Sequence, residues 1–268
     1  MTPARPPDAP LPQASSMPEI PKPSPAAEAL GREVRKDDSR QWEEGVTAMF
    51  QDIAREYEAV NRFISLGMCE RWRRILLATL KAHLPAATPV LDVGCGPGSL
   101  ALTARKELPG VRIISGDITP GFLEIAGNSG NAQELIRLSA SALPLRDACC
   151  GGVTSSFVLR NLPDLDAFYR ECHRVLVPGG VAVMLDLTRP QCPPVAWGHS
   201  LFMKIALPFG AWIYGSKIEA YRYLDRSIRN CLPPEEMLGR MAAAGLQPVG
   251  FQSLCLGTVT IYTARKTL

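Results

Sequence analysis

Val90-Leu91-Asp92-Val93-Gly94-Cys95-Gly96-Pro97-Gly98 reads as a short apolar strand that runs straight into a glycine-rich turn, with a carboxylate just before the glycines. Residues without a Cβ tolerate positive φ and let backbone amides approach a ligand, and the helix that follows opens on unpaired N–H groups. Spacing narrows the ligand. A dinucleotide fingerprint requires G-x-G-x-x-G/A, and counting from Gly94 puts Gly96 in place but Ser99 where the third small residue belongs. A phosphate-binding loop requires Gly-Lys-Ser/Thr, which does not follow. The next well-placed carboxylate is Asp117, at the end of the apolar run 111–116, where it can accept bonds from both ribose hydroxyls. A nucleoside without phosphates suits that pair. The readings without a ligand are an ordinary strand-to-helix turn and, for Asp117, a solvated strand end or helix cap.

Outward from this stretch, short apolar runs alternate with helix-like segments, the signature of βαβ units and a mostly parallel sheet. Strands are expected near 89–94, 111–116, 134–138, 152–158 and 181–187. A helix should start at Asp166 and end before Pro178-Gly179-Gly180. The C-terminal part adds a helix over 234–244 and two β-like runs, 248–254 and 258–264. The pattern over 26–84 is helical with a break at Ser65-Leu66-Gly67. Ligands of open α/β sheets bind outside the carboxyl ends of the strands. Asp92 and Asp117 sit at that edge, as does Phe157-Val158-Leu159-Arg160-Asn161-Leu162-Pro163-Asp164, whose Asn161 and Asp164 could instead serve as turn and cap residues.

The 268 residues suffice for one large α/β domain with appendages. A net charge of +3, with no basic run interleaved with aromatics, argues against a nucleic-acid partner. Eight cysteines show no C-x-x-C pair and no metal spacing, so no metal is expected and a reducing, cytoplasmic setting is. No secretory signal is visible, and Asp8 and Glu19 count against an organelle-targeting peptide. Residues 1–25 are proline-rich with almost no large apolar side chains, which predicts a disordered tail, a linker or a docking arm. None of His83, His173 and His199 stands in a catalytic pattern.

The glycine loop and its two carboxylates resemble the S-adenosyl-L-methionine pocket of class I methyltransferases. That resemblance implies an α/β, Rossmann-like fold with a seven-stranded, mostly parallel sheet, helices on both faces and an apolar lid insertion. It places Gly94, Gly96 and Gly98 under the methionine part of the cofactor, Asp92 near its ammonium group and Asp117 at the ribose with Ile118 beside it. Ser139 and Ala140, after the third strand, fall at the adenine.

Three further blocks narrow the family: Tyr57-Glu58-Ala59-Val60-Asn61-Arg62-Phe63-Ile64-Ser65-Leu66-Gly67 followed by Trp72-Arg73-Arg74; Ser156-Phe157-Val158-Leu159-Arg160-Asn161 with Val175-Leu176-Val177-Pro178-Gly179-Gly180 behind it; and 220–229, Ala-Tyr-Arg-Tyr-Leu-Asp-Arg-Ser-Ile-Arg. In this order and spacing they look like the UbiE family of ubiquinone and menaquinone biosynthesis C-methyltransferases, from about residue 45 to the C-terminus. The resemblance implies a methyltransferase domain over 26–268, with a helical substrate cap over 26–84 and a lid over 190–216. It also implies methylation of a ring carbon of a polyprenylated quinol. Arg160 would supply positive charge to the phenolate, Asn161 an orienting amide, and Tyr57 and Tyr221 further substrate-side groups, with Asn61 and Arg229 of the same rank. Proton removal would fall to a water that Arg160 positions, because arginine stays protonated.

The apolar segment 195–214 is interrupted by His199, Lys204 and Pro208, so it reads as a lid for the isoprenoid tail resting on a bilayer surface, or as a core helix, and not as a span. A homodimer or a biosynthetic complex is a further expectation. The chain departs from the family pattern at Ser139, where an Asp or Asn is usual, and at Ser99, Cys69, Cys150-Gly151 and Asp186. Those departures leave open a methyltransferase of another small molecule and a non-catalytic binding subunit. They also leave the benzoquinol and naphthoquinol acceptors unseparated.

Overall fold

The computed structural model describes residues 36–214 and 218–267. The expected tail over 1–25 lies outside them. Seven strands form one sheet in the order β3-β2-β1-β4-β5-β7-β6: β1 (Val90–Val93), β2 (Ile113–Asp117), β3 (Glu134–Arg137), β4 (Cys150–Ser156), β5 (Leu176–Leu187), β6 (Leu246–Leu254) and β7 (Val259–Lys266). Strands β1 to β5 pair in parallel, and β7 enters antiparallel between β5 and β6. Helices before and between the strands are α1 (Lys36–Ile53), α2 (Tyr57–Ile64), α3 (Cys69–His83), α4 (Ser99–Glu107), α5 (Pro120–Asn128) and α6 (Leu165–Val175). Three more, α7 (Pro193–Tyr214), α8 (Ile218–Arg229) and α9 (Pro234–Ala243), lie between β5 and β6.

Strand periodicity of two divides the core. Val90, Val181, Val183 and Leu185 pack with Trp72, Leu76, Leu77 and Leu80 of α3 and Leu100 and Ala104 of α4. Leu91, Val93, Ala182 and Met184 face the other way, onto Phe168, Tyr169 and Cys172 of α6 and Met237 and Met241 of α9. All four residues of β1 are buried, as a central parallel strand covered on both faces requires. β1 therefore ends at the middle of the sheet, with β2 on one side and β4 on the other.

Several boundaries differ from expectation, β4 among them, which spans Cys150–Ser156 where 152–158 was expected. The strand expected from 181 begins at Leu176 and runs through Pro178-Gly179-Gly180. Gly179 takes φ +76° and the pairing with β4 shifts register between Cys150 and Gly152, so a bulge absorbs the proline and the glycines. The second strand includes Asp117, which pairs with Arg137 of β3. The N-terminal helical region breaks near residues 54–56 as well as at 65–68.

Candidate active site

The glycine loop is tied to the neighbouring strand. Gly94 N and Cys95 N both donate to Gly116 O, at 2.7 and 2.9 Å. Gly94 sits at φ +72°, and a Cβ there would stand 2.2 Å from Val158 Cγ2, so the segment after β4 closes directly onto the loop. Gly96 N donates to Asp117 Oδ2 at 2.9 Å, and Thr119 N to Oδ1 at 2.8 Å. Asp117 is thus held by both oxygens at the cleft wall with acceptor sites to spare. Burial pushes its carboxyl up, and the amides of Thr119 and Gly96 oppose that.

Asp92 lies behind the loop. Its Oδ1 accepts from Thr154 Oγ1 at 3.2 Å, while Oδ2 is buried with no hydrogen-bond partner among the described residues. Desolvation pushes this carboxyl up to about 7, against the Thr154 hydroxyl and the Arg73 charge. A buried carboxylate with one oxygen unpartnered, beside the glycine loop, suits a ligand that brings a cation.

β4 ends in a sharp corner. Phe157 takes φ +64°, which a side chain of that size seldom adopts, and the chain turns into a short 3-10 segment, Leu159–Asn161. Arg160 points inward. Its guanidinium pairs with Asp186 of β5 and donates to Phe157 O at 2.8 Å, its backbone N–H donates to Asp186 Oδ2 at 2.9 Å, and its Nε is buried without a partner among the described residues. Asn161 is oriented from two sides: Tyr223 Oη donates to its Oδ1 at 3.0 Å, and its Nδ2 donates to Phe157 O at 3.2 Å. Asp164 caps α6 by accepting from Ala167 N at 2.8 Å, the local role its position allowed.

These walls meet around one cleft. Of the residues singled out from the sequence, Gly94, Gly96, Asp117, Ile118, Ala140, Tyr57 and Asn161 line it. Asp92, Arg160 and Ser139 stand behind it, tied to Thr154, Asp186 and Glu43 respectively. Gly98, at φ +83°, meets the segment after α5, since a Cβ there would approach Asn131 Cβ at 3.0 Å. The helix that carries Tyr221 is described, but its side chain lies outside the described residues. Tyr57 rests against Phe122 (ring centroids 4.9 Å apart) and Phe50 (5.9 Å). Burial pushes its phenol up, with the Arg160 charge pulling the other way.

Helix α1 forms the roof, and sequence reasoning singled out none of its residues. Glu43, Val46 and Phe50 line the cleft. Trp42 Nε1 donates to Asn161 O at 2.9 Å, Glu43 accepts from Ser139 Oγ at 2.7 Å, and Gln51 Oε1 accepts from Gly121 N at 2.8 Å. In sequence these residues belong to an ordinary amphipathic helix. Position 139, where the family pattern has Asp or Asn, carries the serine that Glu43 meets.

A mostly parallel sheet whose first strand ends in this glycine loop, with a carboxylate at the end of the next strand, defines a class I S-adenosylmethionine-dependent methyltransferase. The spare acceptors of Asp117, the unpartnered Asp92 and the glycine cradle fit that cofactor. The profile described as the ubiE/COQ5 methyltransferase family matches residues 36–266, and the chain belongs to that family. It is 34% identical over 224 residues to the demethylmenaquinone methyltransferase of Thermus thermophilus, covering 81% of this chain and 100% of that one. To the ubiquinone/menaquinone biosynthesis C-methyltransferase UbiE of Xylella fastidiosa it is 33% identical over 231 residues, 82% of this chain and 89% of that one. A solved S-adenosylmethionine-dependent methyltransferase from Thermotoga maritima shares the fold, with a TM-score of 0.55, 16% identity and coverage of 82% and 98%.

Proposed function

We propose that the chain methylates a ring carbon of a polyprenylated hydroquinone in menaquinone or ubiquinone biosynthesis. The observation that carries this is the shared cleft: Tyr57 and Asn161 line the same cavity as Gly94, Gly96 and Asp117, between apolar walls from Phe50, Phe122, Phe157, Leu162 and Pro163. When bound, the cofactor supplies a methyl group already activated by a sulfonium. The chain's own residues must then align the ring carbon and favour the phenolate over the phenol, whose ordinary pKa is about 10.

Tyr57 keeps its proton, since burial raises its pKa, and so donates a hydrogen bond to the ring oxygen. Asn161 donates through the Nδ2 that Phe157 and Tyr223 orient. Arg160 remains charged and acts as a positioning residue. It pins the corner after β4 through Asp186, and its positive field reaches Tyr57 and Tyr223. The ring hydroxyl proton leaves to water.

The tail of such a substrate needs an apolar exit. Helix α7 packs Met203 against Val60 and Ile64 of the Tyr57 helix and Phe209 against Phe63, and turns Trp197, Leu201, Phe202 and Ile205 outward. We assign that stripe to the isoprenoid tail and the bilayer surface. Among the described residues no helix is long and apolar enough to cross a membrane.

Incubation with methyl-labelled S-adenosylmethionine and reduced short-chain naphthoquinol or benzoquinol tests the reading. Label on a ring carbon supports it, and the preferred ring identifies the acceptor. Asn161→Ala is expected to lower kcat roughly a hundredfold with cofactor affinity unchanged. Label on oxygen, or cofactor binding without turnover of either quinol, would overturn it.

A further inference from the structure

Adenine carries an exocyclic amino group, a donor that needs an acceptor wherever the base is buried. The ribose carboxylate stands at the end of β2, and β3 is the next strand outward, so the base lies towards the end of β3. The residues there are Leu138, Ser139, Ala140 and Ser141, which bring neither a carboxylate nor a side-chain amide. Among the described residues that line the cleft, the acids are Asp117 and Glu43. Asp117 is placed for the ribose.

Glu43 arrives from α1, 96 residues earlier in the chain than Ser139. Ser139 Oγ donates to its Oε1 at 2.7 Å and Ser141 Oγ at 3.1 Å. Both hydroxyls converge on one oxygen, which orients the carboxylate and leaves Oε2 outside this pair of bonds.

We propose that Glu43 reads the adenine amino group in this chain, with Ser139 and Ser141 setting its orientation. This rests on the cofactor assignment above. The acceptor is then carried by the roof helix and not by the sheet edge. The same helix touches Asn161 through Trp42 and the start of α5 through Gln51, so holding adenine and seating α1 over the cleft are one event.

Titration calorimetry with S-adenosylhomocysteine and S-inosylhomocysteine, in which an oxo group replaces the amino group, tests this without turnover. The wild-type protein should prefer the adenosyl ligand by about tenfold or more, the value of a hydrogen bond to a charged group. Glu43→Ala should lose that factor for the adenosyl ligand alone, which erases the preference, and Glu43→Gln, which keeps a carbonyl acceptor, should retain part of it. Circular dichroism checks that each variant folds. If Glu43→Ala is unstable, the Ser139→Ala/Ser141→Ala pair, which releases the carboxylate but keeps it, should weaken the preference. An undiminished preference in a folded Glu43→Ala, or in the serine pair, would overturn the proposal. A wild-type protein that binds neither ligand would overturn the cofactor assignment and this proposal together.

Discussion

At the residue scale, Asp92 shows how burial of one carboxylate ties stability to pH. It is buried in the central strand, and desolvation holds its carboxyl up at about 7. The folded chain therefore keeps a proton that the unfolded chain, with a pKa of about 3.9, has released. Its contribution to stability is complete below about pH 4 and is lost as the pH rises through about 7. Without cofactor, the wild-type protein is expected to lose stability from about pH 4 to about pH 7 more steeply than Asp92→Asn, as read by urea unfolding. Equal pH slopes in the two proteins would refute this. Asp92 was legible in the sequence because its neighbours specify it: an apolar strand before, glycines after. Glu43 was not, because nothing within helical reach of it indicates a ligand.

At the element scale, the corner after β4 gathers the substrate side. Its shape depends on Asp186, which takes the Arg160 guanidinium and backbone N–H together. Both side chains are almost fully buried, with 7% and 4% exposed. Replacing the acid leaves an uncompensated buried cation, which costs about 3–5 kcal/mol. Asp186→Asn is thus expected to lower the unfolding free energy read by urea denaturation by that amount, and a loss under about 1 kcal/mol would contradict the buried pair. The strands and helices were read correctly where periodicity or turn chemistry spoke. The reading failed at Pro178-Gly179-Gly180, because a bulge lets a strand pass through residues that usually stop one. It also left open whether Asn161 and Asp164 cap or serve the cleft. Hydrogen bonds divide them, with Asp164 on the helix start and Asn161 under Tyr223.

At the scale of the whole molecule, the sheet presents β1, β2, β4 and β5 ends to one edge, and helices α1, α2, α7 and α8 gather over it. The outward stripe of α7 leaves Trp197 72% and Ile205 64% exposed, an apolar surface without cover among the described residues. The Trp197→Ser/Ile205→Ser double variant is expected to partition less into anionic vesicles in a sedimentation assay, with cofactor affinity unchanged. Equal partitioning would remove the membrane assignment.

The sequence by itself determined the cofactor loop, the alternation of strands and helices and the family. These rest on spacing within a few residues, where glycine at positive φ, strand alternation and capping act locally. Only the tertiary structure decided that Glu43 meets Ser139, that Trp42 reaches Asn161 and that Arg160 is neutralised by Asp186. Those contacts join residues 26 to 119 positions apart. They form because each helix must bury its apolar face against a common sheet, which no local pattern of residues specifies.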